Sequence, residues 1–221
     1  MNAGSPSFLL FRELNRGKCK TYLIACGRTR KALIIDPVRD HISRYLAFLA
    51  YHQLTLDAIL DTHTHADHST GSFQLRDLVD ARLIMHRRAP CPGVTHHVED
   101  GDEIEVGGAR IGVLYTPGHT PDSISLYADG RVFTGDVLLI GGTGRADFAG
   151  GDAGNQYDSI TKKLFTLPEQ TLVFPAHDYR GNTSSTIGQE KRHNPRVAGR
   201  SRQQYVELMA SLNFPMPDKI Q

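Results

Sequence analysis

Short apolar runs along the chain predict a series of β-strands. Residues 21–26 and 31–35 flank the polar turn 27–30, a pattern typical of a β-hairpin. Other apolar runs bounded by turn residues predict strands at residues 56–60, 82–85, 103–106, 110–115, 123–127, 132–133 and 171–174. The pairs Gly107-Gly108 and Asp129-Gly130 predict tight turns between the strands of the middle region.

Helical spacing of apolar residues predicts four helices. Ile42, Tyr45 and Leu49 recur every three to four positions, so we expect a helix over residues 40–53 with Asp40 as its N-cap. Residues 72–79, 157–167 and 201–212 also have helical character. Strands and helices come in two successive sets, which favours two mixed β-sheets packed face to face with helices on the outer faces. We interpret residues 1–221 as one domain of the α/β (α+β) class.

Composition excludes several classes of partner. The chain has 221 residues and a formal net charge of +1, so nothing indicates a nucleic-acid or membrane-surface footprint. No apolar stretch approaches the roughly 20 residues that a membrane helix needs. Residues 1–11 lack the pattern of a secretory signal, and the three cysteines are odd in number and widely spaced. We therefore expect reduced thiols and a cytoplasmic location.

The polar segment 62–68 follows the predicted strand 56–60 directly. His63, His65, Asp67 and His68 lie within six positions. So dense a set of imidazoles and carboxylates is costly to bury unless a bound metal compensates it. The sequence therefore predicts a metal site at the end of this strand.

Three further polar residues follow predicted strands. His119, Asp136 and His177 each come after an apolar run and beside a small residue that allows the backbone to turn. Taken singly, each is typical of an ordinary turn. Together with the first loop they predict one metal-binding constellation at a sheet edge. The adjacent pair His96-His97 is interpreted as a solvated loop, because neighbouring residues of an extended chain point to opposite faces.

These motifs resemble the metallo-β-lactamase fold superfamily, and within it the persulfide dioxygenases. The superfamily motifs are residues 62–68, 116–120, 134–136 and 175–177. Residues 133–140, 144–148, 175–181, 190–196 and 212–215 resemble the persulfide dioxygenase group. The similarity extends over residues 19–220, nearly the whole chain.

The resemblance implies an αββα sandwich that holds one Fe(II) per chain. The implied ligands are His63, His119 and Asp136, a 2-His-1-carboxylate facial triad. The remaining metal-type residues would line the pocket as supports, without binding iron: His65, Asp67, His68 and His177. The implied reaction is the oxidation of glutathione persulfide by O2 and water to sulfite and glutathione.

The ligand types alone leave alternatives open. All seven side chains of a dinuclear site are present, and Asp136 could bridge two metals, as in a zinc thioester hydrolase of the glyoxalase II type. Only the flanking motifs favour one iron. A β-lactamase is less consistent, because many zinc enzymes of that kind have cysteine at the position of Asp136. A non-enzymatic metal protein that binds persulfides is a further alternative.

Glutathione has two carboxylates, and arginine binds carboxylates through paired hydrogen bonds, so we expect arginine among the substrate-binding residues. Arg145 is the first candidate, followed by Tyr179 and Arg196. The alternative for Arg145 is a structural salt bridge to Asp147 or Asp178.

Two positions depart from the persulfide dioxygenase pattern: the group often has cysteine at Thr143 and threonine at Ala146. The first removes an oxidisable group near the site and the second a pocket hydroxyl, and neither changes a proposed ligand. A homodimer and a rhodanese-type sulfurtransferase that supplies the persulfide are compatible with the resemblance, but the sequence determines neither.

Overall fold

Two six-stranded β-sheets are each built from one continuous half of the chain. The computed structural model describes residues 9–15, 17–66 and 69–213. The first sheet contains, in spatial and chain order, β1 (Leu9–Glu13), β2 (Tyr22–Cys26), β3 (Lys31–Ile35), β4 (Thr55–Leu60), β5 (Arg82–His86) and β6 (His96–Val98). The second contains β7 (Glu103–Val106), β8 (Ala109–Tyr115), β9 (Ile124–Ala128), β10 (Arg131–Gly135), β11 (Leu172–Pro175) and β12 (Ser185–Thr186), again neighbours in chain order.

Strand direction brings several strand ends to one edge. In the first sheet β1, β2 and β3 are antiparallel, whereas β3, β4, β5 and β6 run parallel. In the second sheet β10 and β11 are parallel and the other pairs are antiparallel. The polar segments that follow β4, β8, β10 and β11 can therefore meet.

Helices cover the outer faces of both sheets. They are α1 (Ile42–Tyr51), α2 (Ser72–Val79), α3 (Ala153–Lys162), α4 (Ile187–His193) and α5 (Arg202–Ser211). Both faces of β2 are buried, because Tyr22 and Ile24 pack between the sheets whereas Leu23 and Ala25 pack beneath the helices. Three apolar layers result, which confirms the predicted sandwich. No helix in the described residues is long and apolar enough to cross a membrane.

Most predicted strands and helices are confirmed, but the ends of two helices were predicted wrongly. Asp40 is not an N-cap, because a 3-10 turn at Arg39–His41 precedes α1, whose N-terminus has no side-chain cap. The predicted helix 157–167 instead begins at Ala153, capped by Asp152, and ends at Lys162 before a separate 3-10 turn.

Four elements differ from the sequence interpretation, one of them the short strand β12, which was not predicted. His96-His97 belongs to edge strand β6 rather than to a loop, although both side chains are exposed. Strand β1 and helix α4 were not predicted. The buried residues of α4 are Ile187, Gly188 and Glu190, which do not form an apolar stripe that sequence periodicity could detect.

The inter-sheet core yields a stability prediction. Leu33 is fully buried between the sheets, whereas Leu78 is 56% exposed on α2. Leu33→Ala should lower the free energy of unfolding by about 2–5 kcal/mol because it leaves a cavity. The matched control Leu78→Ala should change it by less than about 0.5 kcal/mol. Urea denaturation of both variants measures this, and equal effects would contradict the assigned core.

Candidate metal centre

Three metal-type side chains from three loops meet at the common edge of the two sheets. They are His63 after β4, His119 after β8 and Asp136 directly after β10. The Asp136 Oδ2 atom lies 3.9 Å from His63 Nε2 and 3.7 Å from His119 Nε2. One ligand atom from each residue lies within 4.8 Å of the others, which is close enough for one metal ion to contact all three.

The tautomer of His63 is fixed by a chain of hydrogen bonds. Thr62 Oγ1 donates its proton to Asp36 Oδ2 at 2.9 Å, so it can only accept from His63 Nδ1, also at 2.9 Å. Nε2 is therefore left with its lone pair. That atom is buried and has no hydrogen-bond partner among the described residues. Burial lowers the pKa of His63 well below its usual value, so the ring is neutral and available to a metal.

His119 is oriented in the same way by a backbone group. Its Nδ1 donates to the carbonyl oxygen of Arg145 at 2.7 Å, which leaves Nε2 facing Asp136. Gly118 permits this arrangement. It has φ of +144°, and a Cβ at this position would collide with the backbone of Gln156 on α3. The His119 loop therefore lies directly against that helix.

Asp136 is an ionised carboxylate shared with a fourth loop residue, His177. His177 Nδ1 lies 2.8 Å from Oδ1 and 2.9 Å from Oδ2, and it donates to this carboxylate. Burial raises the pKa of Asp136, but the charge and the hydrogen bond of His177 lower it more. The net pKa is far below the usual value for aspartate. His177 therefore contacts Asp136 through a hydrogen bond from its Nδ1 atom.

His65 lies beside His63, with ring centres 4.2 Å apart, but it is not among the three residues whose ligand atoms converge. Its Nε2 lies 3.2 Å from Asp36 Oδ1, in a second buried group formed by Asp36, Asp61 and His65. Burial raises the pKa of Asp61 to about 6, and Asp61 accepts hydrogen bonds from Thr70 and Ser72. Asp67 and His68, the other predicted residues of this loop, lie outside the described residues.

Asp36 connects these two groups. It leaves β3 in the left-handed region at φ of 50°, which aspartate tolerates better than most residues. Its carboxylate accepts from Thr62 N at 2.7 Å, from Thr62 Oγ1 and from His65. One buried side chain therefore orients His63 and also contacts Nε2 of His65.

The predicted substrate-binding residues fall into two places. Tyr179 and Arg196 line one small pocket of about 90 Å³ beside His177. Tyr179 is 65% exposed, and its ring stacks on the His177 ring at an interplanar angle of 7°. Burial lowers the pKa of Arg196, and the charge of Arg180 acts in the same direction. Arg180 also lines this pocket.

Arg145 is placed differently from the other candidates. Its guanidinium makes a two-point ion pair with Asp147, at 2.6 and 2.7 Å, and lies 4.5 Å above the centre of the Phe148 ring. The salt bridge that the sequence left as an alternative is therefore present. The substrate role of Arg145 stays a prediction.

Sequence reasoning missed three residues that shape this region. Asp36 is not among the predicted site residues, although it follows a buried strand just as Asp136 does. Asp122 was overlooked although it lies three residues after His119. Arg180 was noted only within a longer motif. Asp36 could have been found because it directly follows an apolar strand. Asp122 could have been found because it lies close in sequence to a proposed ligand, His119.

The donor set and the local charge fit a divalent cation. Asp36, Asp61, Asp122 and Asp136 are all buried, and among the described residues none forms an ion pair with lysine or arginine. Buried negative charge without a cation is unfavourable. His63, His119 and Asp136 could hold a metal ion that would supply that positive charge. Three protein ligands would also leave further coordination positions open on such a metal.

Comparisons with known proteins identify the family to which this fold belongs. The model of the metallo-beta-lactamase superfamily matches residues 14–177. The mitochondrial persulfide dioxygenase ETHE1 of Homo sapiens is 40% identical over 221 residues, which are 98% of this chain and 87% of that protein. The crystal structure of ETHE1 from Myxococcus xanthus is 47% identical, with a TM-score of 0.93 over 96% of this chain and 94% of that one.

A hydrolase is also similar, over a shorter region. The hydroxyacylglutathione hydrolase of Vibrio cholerae is 40% identical over 154 residues, which are 69% of this chain and 59% of that protein. The persulfide dioxygenases, in contrast, match nearly the whole chain. The chain therefore belongs to the metallo-beta-lactamase superfamily and, within it, to the persulfide dioxygenase family.

Proposed function

We propose that this protein is an iron-dependent persulfide dioxygenase that oxidises glutathione persulfide. One persulfide, one O2 and one water yield one sulfite and one glutathione, with two protons released from the sulfite. The observation that carries the proposal is the division of the histidines: His63 and His119 converge with Asp136, whereas His65 forms a second group with Asp36 and Asp61. This division favours one metal, and the near full-length similarity to persulfide dioxygenases supports the reaction.

The residues of the chain would act mainly by holding and orienting. His63, His119 and Asp136 would hold Fe(II), which supplies the redox chemistry with O2 when it is bound. The burial of the three ligands limits access of water to the reacting sulfur. His177 would keep the Asp136 carboxylate oriented through its hydrogen bonds, and the hydrogen bonds of Thr62 and of the Arg145 carbonyl would orient the two imidazoles.

We place the glutathione carboxylates at the pocket formed by Tyr179, Arg180 and Arg196. Two arginines near one another repel, so an anionic ligand between them would be stabilised. The pocket is next to His177, which in turn contacts Asp136. A ligand bound there would have its sulfur end close to the metal centre. A cytoplasmic location, a homodimer and a sulfurtransferase partner stay predictions.

The second candidate is a dinuclear zinc thioester hydrolase, favoured by the similarity to hydroxyacylglutathione hydrolase. Reconstitution with Fe(II) in the absence of air, followed by addition of glutathione persulfide and O2, separates the candidates. We expect one iron per chain and one O2 consumed per sulfite formed, over many turnovers. Two zinc ions per chain with thioester hydrolysis and no O2 uptake would favour the hydrolase, and binding without turnover would favour a non-enzymatic persulfide-binding protein.

Two substitutions test the division of the metal-type residues. Asp136→Ala should abolish both iron binding and O2 uptake, because it removes the ligand on which both histidines converge. His65→Ala should retain most of the iron, since its Nε2 is directed at Asp36. Iron content after reconstitution and gel filtration measures both effects. If His65→Ala loses iron to the same extent as Asp136→Ala, the assignment of His65 as a non-ligand is wrong.

The pocket assignment yields a separate prediction. Arg180→Gln and Arg196→Gln should each lower kcat/KM for glutathione persulfide about tenfold, mainly through KM, because each removes one charge-assisted contact near solvent. Iron content should not change. Arg145→Gln is the comparison, and we expect a smaller effect on KM because Asp147 already binds its guanidinium. A large increase in KM confined to Arg145→Gln would assign the clamp to Arg145 instead.

A further inference from the structure

A buried carboxylate outside the ligand cluster joins two of the metal-ligand loops. Asp122 lies three residues after His119, and only 2% of its surface is exposed. Its Oδ2 accepts two hydrogen bonds from Thr64, one from the backbone N at 2.9 Å and one from Oγ1 at 2.7 Å. Thr64 directly follows His63. One side chain of the His119 loop therefore fixes the backbone of the His63 loop.

A second contact reinforces this connection on the other side of His63. The backbone N of Ile124, the first residue of β9, donates to the carbonyl oxygen of Thr62 at 2.9 Å. The residues on both sides of His63 are thus held by the segment that carries His119. Because the two histidines come from different sheets, these contacts determine how far apart their ring nitrogens lie.

Asp122 is not itself part of the ligand cluster. The atoms that lie within 4.8 Å of one another belong to His63, His119 and Asp136. The carboxylate of Asp122 forms no ion pair with a described lysine or arginine, so its burial is compensated mainly by the two hydrogen bonds from Thr64. The backbone that follows His63 is therefore tied to the His119 loop by a buried carboxylate.

We propose that Asp122 is a positioning residue for the metal centre. By holding Thr64, it keeps His63 Nε2 at the distance from His119 and Asp136 that one metal ion requires, before any metal binds. The inference rests on the proposed metal assignment and adds to it a residue that never contacts the metal. Groups of this kind affect metal affinity and geometry through the ligands that they orient.

Binding of Co(II), whose visible absorption reports coordination geometry, tests this role. Asp122→Ala should weaken Co(II) binding, measured by competition with a chelator, about 10–100-fold and should alter the absorption spectrum. Asp122→Asn should restore most of the affinity and the spectrum, because the amide oxygen can still accept from Thr64. Thr64→Val, which keeps the backbone hydrogen bond, should lose about fivefold, the effect of one neutral hydrogen bond.

Asp57→Ala is the matched control. Asp57 is a partly buried aspartate near the start of β4, at the opposite end of this strand from His63, where it pairs with Lys31 and Arg82. This variant should lose stability but bind Co(II) with the affinity and spectrum of the wild-type chain. If Asp122→Ala fails to fold, Thr64→Val and Asp122→Asn carry the test.

The outcomes separate the two proposals. A wild-type chain that binds no Co(II) at His63, His119 and Asp136 would overturn the proposed metal centre. A wild-type chain that binds Co(II) while Asp122→Ala and Thr64→Val bind it equally well, with unchanged spectra, would overturn only the role of Asp122. Equal losses of affinity in Asp122→Ala and Asp57→Ala would show general destabilisation and would also overturn that role.

Discussion

The hydrogen bonds of the Asp36 carboxylate determine what the histidine-rich loop can do. The carboxylate accepts hydrogen bonds from the backbone N and the hydroxyl of Thr62. Because that hydroxyl then accepts from His63 Nδ1, the proton of the His63 ring is held on Nδ1. The same carboxylate contacts His65 Nε2 and so places that nitrogen in a second group, with Asp36 and Asp61, separate from the ligand cluster. A loop with the residue types for two metals thereby presents one described histidine to the shared site. The one-metal interpretation depends on this interaction more than on any count of ligands.

The sandwich makes this arrangement possible because each sheet contributes part of the site. Asp36 and His63 come from loops of the first sheet, and His119 and Asp136 come from loops of the second. An apolar layer between the sheets fixes their relative position, including the contacting rings of Phe11, Tyr22, Phe133 and Phe174. Because protein interiors are close-packed, the packing between the sheets also sets the distance between the loops at their common edge. The ligand atoms can therefore lie close together without relying on the metal alone.

The sequence was informative where chemistry is local and uninformative where it depends on distant contacts. Strands with both faces buried and the dense histidine loop have local signatures, so the sandwich and its metal-type residues could be predicted. The roles of Asp36 and Asp122 depend on partners 26 and 58 residues away, and each aspartate locally resembles an ordinary turn residue. Arg145 shows the converse problem. An arginine near a proposed site suggests an anion clamp, but its nearest acid, Asp147, is only two residues further along the chain.

The most direct test is a crystal structure of the chain loaded with Fe(II) in the absence of air. We expect one ion per chain, bound by His63 Nε2, His119 Nε2 and the Asp136 carboxylate, with His65 still hydrogen-bonded to Asp36 and His177 to Asp136. Anomalous scattering at the iron edge identifies the metal. Two ions bridged by Asp136, with His65 and His177 among their ligands, would contradict the one-metal centre proposed for this persulfide dioxygenase family member.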